Sequence, residues 1–305
     1  MHRRTAIQCL ASGAVAILPA LGDAGLETRD APPASRLPGH SPDRHLAQSV
    51  CYWPFADVPL DSFCATVKKL GLGAVDLLQP DQWPVAARHG LVCSMGYASR
   101  RDDFLTRGLC DTAMHDVIAR EVEATLPLAA KAGVPSVIVM FGNRQGRSDA
   151  DGMANAIVGL RRIAPVAERH QVTLCVELLN SKVDHKDYQG DHTAFGAAVV
   201  QAVGSPRVKL LYDIYHMQIM EGDVIRTIRQ HAPLIGHYHT GGVPGRHELD
   251  GTQELQYRAI AQAIADTGFT GYLAHEFEPV RPWVGSLREA IRLCDVRMQA
   301  SKGNP

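Results

Sequence analysis

From about Ala47 onward, short runs of β-branched and other apolar residues alternate with longer stretches in which apolar positions return every three or four residues. Runs of the first kind suit strands covered on both faces, and the longer stretches suit amphipathic helices. Their regular alternation is the mark of repeated βα units around a parallel sheet. Eight strands are predicted: Gln48 to Tyr52, Ala74 to Leu78, Leu91 to Tyr97, Ser136 to Phe141, Thr173 to Leu178, Val208 to Asp213, Ile235 to His239 and Tyr272 to Glu276. Helices are predicted over Asp61 to Leu70, Asp111 to Lys131, Asp149 to His170, Thr193 to Val203, Asp223 to His231, Glu254 to Thr267 and Ser286 to Met298. Asp61 and Asp149 stand where N-cap oxygens are needed, and Gly71, Gly133 and Gly268 where helices end in a left-handed turn. No GxGxxG or Walker sequence follows the first strand, so the pattern favours a (β/α)8 TIM barrel over a doubly wound sheet.

The length of 305 residues, 46% hydrophobic and 21% charged, suits one α/β domain, a single TIM barrel over residues 46–305. What precedes it reads differently. Arg3 and Arg4 introduce an uncharged, largely apolar run from Thr5 to about Leu21, followed by Gly22, Asp23 and Ala24. This predicts an export signal over residues 1–24, resembling the twin-arginine leader of bacteria, with an uncleaved anchor as the other reading. Residues 25–45, with Pro32, Pro33, Pro38 and Pro42, read as a flexible lead-in. The expected location is therefore the periplasm, with no stable membrane association once the signal is removed.

A formal net charge of -1, with 31 basic and 32 acidic residues and no long basic run, argues against nucleic acid or an anionic membrane as partner. Homo-oligomerisation is left open. Cys51, Cys93 and Cys175 fall in strand-like runs, and Cys64, Cys110 and Cys294 in or beside helical ones, without CxxC spacing. They read as packed thiols, with an incidental disulfide left open.

In a barrel of this kind, groups that act on a substrate sit at the C-terminal ends of the strands. Four successive predicted strands close on a polar residue there: Glu177, Asp213, His239 and Glu276. Three carboxylates at one barrel mouth repel one another and cannot all stay ionised without a cation. A divalent metal resolves this, and oxygen donors with one imidazole suit Mg2+ or Mn2+ better than Zn2+, Co2+ or Fe2+.

The same residues carry a resemblance. Val176-Glu177-Leu178-Leu179-Asn180, Tyr212-Asp213-Ile214-Tyr215-His216, the run from His237 through Pro244-Gly245-Arg246-His247-Glu248 to Asp250, Glu254-Leu255-Gln256-Tyr257 and His275-Glu276-Phe277-Glu278-Pro279 are similar to the hydroxypyruvate isomerase family. That family belongs to the xylose-isomerase-like TIM barrels, which also include ketose 3-epimerases. The resemblance implies that Glu177, Asp213, His239 and Glu276 ligate the metal and that Glu177 and Glu276 exchange substrate protons. It also implies that His216 and Arg246 contact the substrate, a small sugar or hydroxy-keto acid. An aldose-ketose type isomerisation moves a proton between adjacent carbons through an enediolate, which needs a positioned base and acid and a group that polarises the oxygens.

Other polar residues have plainer expectations. His237 shares a face with His239 and is expected as a hydrogen-bonded core histidine. Glu248, Asp250 and Glu254 are expected to orient the loop or to surround Arg246, and Glu278 to be a loop or supporting acid. His170, His185, His192 and His231 are expected to face solvent. Tyr52, Trp53 and Phe55 either wall the pocket or simply pack. Many hydroxypyruvate isomerases have glutamine where His239 stands and lysine where Glu278 stands, which leaves a sugar 3-epimerase or keto-sugar lyase open. A non-catalytic periplasmic sugar-binding barrel is the alternative from another class, and a nuclease of the same superfamily is disfavoured by the small number of histidine ligands.

Overall fold

The structure is a computed structural model and describes residues 45–298. The expected export signal over residues 1–24, and all of the lead-in except His45, lie outside the described residues.

Nine strand segments form the sheet system: β1 Gln48–Val50, β2 Ala74–Val75, β3 Val92–Cys93, β4 Gly96–Tyr97, β5 Ser136–Met140, β6 Thr173–Glu177, β7 Val208–Asp213, β8 Ile235–Thr240 and β9 Leu273–His275. Seven of them make one parallel sheet in the order β1-β9-β8-β7-β6-β5-β4, and β2 and β3 make a second parallel pair. Isolated bridges join the two, Cys51 with Asp76 and Leu78 with Gly96. The Asp76 N–H donates to the Val50 carbonyl at 2.7 Å and the Tyr52 N–H to the Asp76 carbonyl at 3.1 Å. The sheet therefore curls round and meets the pair on both sides, as a barrel requires. β3 and β4 are the two ends of the single strand predicted from Leu91 to Tyr97. The facing strand is broken at Leu77, whose φ of +55° departs from extended geometry.

The helices are α1 Leu60–Lys69, α2 Trp83–Arg88, α3 His115–Ala132, α4 Asp149–His170, α5 Thr193–Val203, α6 Ile214–Met220, α7 Val224–His231, α8 Tyr257–Asp266 and α9 Trp283–Cys294. The long amphipathic ones fall where the 3.6-residue period puts them, and α4 and α5 match the expected spans. Two short ones, α2 and α6, were not expected. α2 starts at a tryptophan followed by a proline, and α6 is nearly apolar all round, with Ile214, Tyr215, His216, Met217 and Met220 buried, so neither shows a helical stripe.

The expected caps need correcting. α1 is preceded by Pro59 with no side-chain cap, and α4 is capped by the Ser148 hydroxyl, which accepts the Asp151 N–H at 3.1 Å. Asp61 and Asp149 instead lie inside the first turn, where a carboxylate still favours the positive end of the helix dipole. Gly133 ends α3 at φ +73°, a left-handed position at which a Cβ would be strained.

Along the strands, alternation sends one set of side chains into the barrel and the other under the helices. Tyr212 and Tyr238, neighbours on β7 and β8, meet edge to face at 6.1 Å, and Tyr238 packs on Phe269 at 4.8 Å. The residues that alternate with them, Asp213, His237 and His239, are also fully buried, and they converge on other polar groups. The six cysteines among the described residues are buried and free, as packed thiols. His45, placed by the sequence reading in the lead-in, bridges Arg297, and the Leu46 N–H donates to the Val296 carbonyl. No described helix is long and apolar enough to cross a membrane.

Candidate metal centre

β6, β7, β8 and β9 lie side by side, so residues at their C-terminal ends are brought together by the ladder itself. Asp213 stands opposite His239 in the β7 and β8 register, and Thr240 opposite His275, one residue before Glu276. Glu177, Asp213, His239 and Glu276 each turn one ligand atom into a common point, all within 4.8 Å of one another. All four are at most 5% exposed. Every residue expected in the metal site is in this cluster.

Each side chain is held by its second atom or its neighbours. Asp213 caps α6: its Oδ1 accepts the His216 N–H at 3.0 Å, which leaves Oδ2 facing the cluster. Glu276 accepts the Trp53 Nε1–H on Oε1 at 2.6 Å and the Arg246 guanidinium on Oε2 at 2.6 Å. The Glu177 carboxylate has its nearest charged neighbour in His239, 3.3 Å from Nδ1 to Oε1. His239 Nδ1 lies 2.7 Å from Glu276 Oε2 and 3.9 Å from Asp213 Oδ2, yet makes no aligned hydrogen bond among the described residues. A buried imidazole nitrogen aimed at three carboxylate oxygens without a hydrogen-bond partner is the donor arrangement a cation satisfies. The charges agree. Three carboxylates and the Arg246 guanidinium leave two negative charges, which a divalent ion cancels.

Without a cation, protons take its place. Burial pushes the Asp213 carboxyl up to about 8, against the pull of Arg246 and with help from Glu276. Burial raises Glu177 as well, although His239 opposes it. Burial would also raise Glu276, but Arg246 and His239 outweigh it and hold that carboxyl well below the usual range. For His239, burial disfavours charge, and Glu276 with Cys51 and Asp76 reverses this and raises its pKa.

Arg246 reaches the cluster from the loop after β8. Its own φ is +58° and that of Gly245 is +89°, left-handed conformations that reverse the chain and turn the side chain back over the strand ends. Gly242 and His247 pair across the loop, and the Arg246 carbonyl accepts the Glu278 N–H at 2.7 Å. The guanidinium lies between the rings of Trp53 at 5.1 Å and Tyr215 at 5.3 Å, so two aromatic faces fix its plane. Trp53 is therefore part of the site wall, whereas Phe55 packs on Phe63, Phe277 and Trp283.

His216 is buried beside the cluster, with Nε2 3.7 Å from Asp213 Oδ2 and no hydrogen-bond partner among the described residues. Its tautomer is set by Asn180. The Asn180 Oδ1 accepts the N–H groups of Val183 and Asp184 at 3.0 and 2.9 Å, so Nδ2 must be the atom that donates to His216 Nδ1 at 2.7 Å. His216 then carries its hydrogen on Nε2 and presents a donor to the site.

Of the two roles expected for Glu248, orienting its loop is the one seen: it accepts N–H groups of Val280 and Arg281 and the Ser286 hydroxyl, tying the loop after β8 to the loop after β9 and to α9. Asp250 pairs with Arg281 and Glu254 with Gln218, so these acids likewise organise loops. His185 does not simply face solvent: its ring is 5.2 Å from that of His216. His237 is the hydrogen-bonded core histidine expected, and its partner is Asp76. The sequence reading missed Asp76, a lone acid between Ala74-Val75 and Leu77-Leu78; an acid inside an apolar run was the available signal. Asn180 carries no comparable signal, because its role depends on where the following loop folds.

A family model described as Xylose isomerase-like TIM barrel matches residues 84–295. The chain belongs to the xylose isomerase-like TIM barrel family. Within that family it is 28% identical over 237 residues to the 2-oxo-tetronate isomerase of Cupriavidus necator, covering 72% of this chain and 87% of that one. To the hydroxypyruvate isomerase of Escherichia coli it is 30% identical over 171 residues, 55% of this chain and 64% of that one. The crystal structure of D-psicose 3-epimerase with D-tagatose from Clostridium cellulolyticum H10 superposes with a TM-score of 0.62 at 20% identity, covering 80% and 90% of the two chains. At that identity the last match speaks for the shared barrel only.

Proposed function

We propose that this protein is a metal-dependent isomerase of a small hydroxy-carbonyl compound, acting by proton transfer through an enediolate. Conversion of hydroxypyruvate to tartronate semialdehyde is the leading candidate reaction. The observation that carries the reading is the convergence of Glu177, Asp213, His239 and Glu276 at adjoining strand ends. The isomerases among its relatives support the reaction class. A binding module would need neither two glutamates flanking one imidazole nitrogen nor a guanidinium locked between rings.

A divalent cation held by these four residues, Mg2+ or Mn2+ given the oxygen-rich donor set, would polarise the substrate's carbonyl and hydroxyl oxygens. The rest falls to the chain. Glu177 and Glu276 approach His239 Nδ1 from β6 and β9, so a substrate lying over the cluster meets a carboxylate on either side, one to remove the carbon-bound proton and one to return it. The His216 Nε2–H donates to the oxygen on which charge develops, and Arg246 supplies fixed positive charge beside it.

A sugar 3-epimerase is the second reading, and two observations favour it. Glu278 stands where many hydroxypyruvate isomerases have lysine, which removes a partner for a substrate carboxylate. A groove of about 450 Å3 lined by Trp53, Asp57, Glu278, Arg281 and Trp283 opens on the outer side of Trp53, and a substrate longer than three carbons is the kind that could extend toward it.

Proton exchange in deuterium oxide, followed by NMR on the Mn2+- or Mg2+-loaded protein with hydroxypyruvate, a 2-oxo-tetronate and a panel of ketoses, separates these readings. Deuterium incorporation or conversion is expected with one class, and that class names the substrate. Neither exchange nor conversion with any of them, from folded and metal-loaded protein, would overturn both. In the same assay Asn180→Asp is expected to lower kcat/KM by about tenfold or more, because a carboxylate only accepts and forces the His216 hydrogen onto Nδ1. An unchanged value would remove the donor role of His216.

A further inference from the structure

We propose that Asp76 is a positioning residue that fixes His239 in the tautomer whose Nδ1 lone pair faces Glu177, Asp213 and Glu276. The inference rests on the metal reading of that cluster. Asp76 directly follows β2, across the barrel from β8, and is fully buried. Its Oδ2 lies 2.9 Å from His239 Nε2 and 3.0 Å from His237 Nε2, its Oδ1 accepts the Ser94 hydroxyl at 2.5 Å, and the Cys51 thiol approaches Oδ2 at 3.6 Å. Four donors converge on two oxygens, which is the environment of an ionised carboxylate and leaves it nothing to donate. Both imidazoles must then place a hydrogen on Nε2, so a neutral His239 has its lone pair on Nδ1. That is the atom without a hydrogen-bond partner in the cluster. The rings of His237 and His239 stand edge to face at 5.3 Å, each packed against the other.

A carboxylate behind a ligating imidazole fixes its orientation and raises its basicity, and losing such a partner typically costs 10–100-fold in metal affinity. Asp76, His237 and His239 also converge closely enough to be read as a second cation site. That reading would take His239 Nε2 as a ligand and abolish its bond to Asp76, so the two are exclusive.

The test uses the whole chain, stripped of metal and titrated with Mn2+ by calorimetry and with Co2+ for NMR. The wild type is expected to bind one ion per chain. Its Co2+ form in water should show a hyperfine-shifted, exchange-protected N–H resonance assigned to His239 by 15N-histidine labelling. Asp76→Asn keeps the volume but can present either Oδ1 or Nδ2 to the histidines; it should bind about 10–100-fold more weakly and lose the exchange protection. Wild-type protein that binds neither ion defeats the metal reading itself. Binding by the wild type without a protected His239 N–H overturns the role of Asp76, a result that does not depend on the variant folding. Asp76→Asn with unchanged affinity and resonance would do the same, as would two ions per wild-type chain falling to one in the variant.

Discussion

Glu177→Gln is expected to lower turnover and solvent proton exchange by roughly 10²–10⁴-fold, the contribution of a positioned acid-base group, while leaving the fold intact. The contacts explain why this variant is the cleaner of the pair. The Glu177 carboxylate meets His239 at 3.3 Å and holds no guanidinium, so an amide of the same shape removes the base without unpairing Arg246; because it also takes a charge from the ligand set, the rates are compared at saturating metal. Glu276→Gln should show a similar loss of rate with an added structural cost. Its two oxygens accept from Trp53 and Arg246, and an amide nitrogen facing either one sets donor against donor, leaving a buried group unpaired at about 1–3 kcal/mol. Thermal unfolding of the two metal-free variants alongside rate measurements checks both parts. Exchange in Glu177→Gln within tenfold of the wild type would exclude it as a proton-transfer group.

The affinity for Mn2+ is expected to rise steeply with pH and to level off above about pH 8. In the metal-free protein burial holds Asp213 protonated up to about 8, and a metal must displace that proton. One proton displaced corresponds to roughly tenfold in affinity per pH unit, so about 100-fold between pH 6 and 8, with Glu177 and His239 steepening the slope. Calorimetry in buffers of different ionisation enthalpy measures the protons released, and a flat profile with none released would contradict the site. Stability follows the same linkage. The folded-state pKa of Asp213 lies above that of an unfolded aspartate, about 3.9, so the native metal-free protein binds the extra proton between these values. Its contribution is fully present below about pH 4 and is lost as pH rises toward 8. Saturating metal replaces the proton, so the metal-loaded protein should not show this decline.

Much of the barrel was legible because its signals are local. Apolar runs of the right length marked the strands, and the 3.6-residue period marked the long helices through α4 and α5. Elements without such a period, α2 and α6, were not visible, and the caps at Ser148 and Pro59 fell one or two residues from the acids that looked suited to the task. The metal-ligating set was legible for a similar reason: Glu177, Asp213, His239 and Glu276 each close an apolar run, and parallel strands in one sheet carry their ends to one side. What the sequence could not supply is which atom of each side chain faces the site. Asp213 Oδ2 points inward because Oδ1 caps a helix the pattern did not reveal, and His216 is a donor because the N–H groups of the following loop hold Asn180 Oδ1 and so turn its amide nitrogen toward His216. Asp76, 163 residues from His239 along the chain, meets it only because the sheet curls until β2 lies across the barrel from β8. The sequence determined the strands and the donors they carry; tertiary closure decided their tautomers, their pairings and their charge, since these depend on contacts between distant segments that no local pattern encodes.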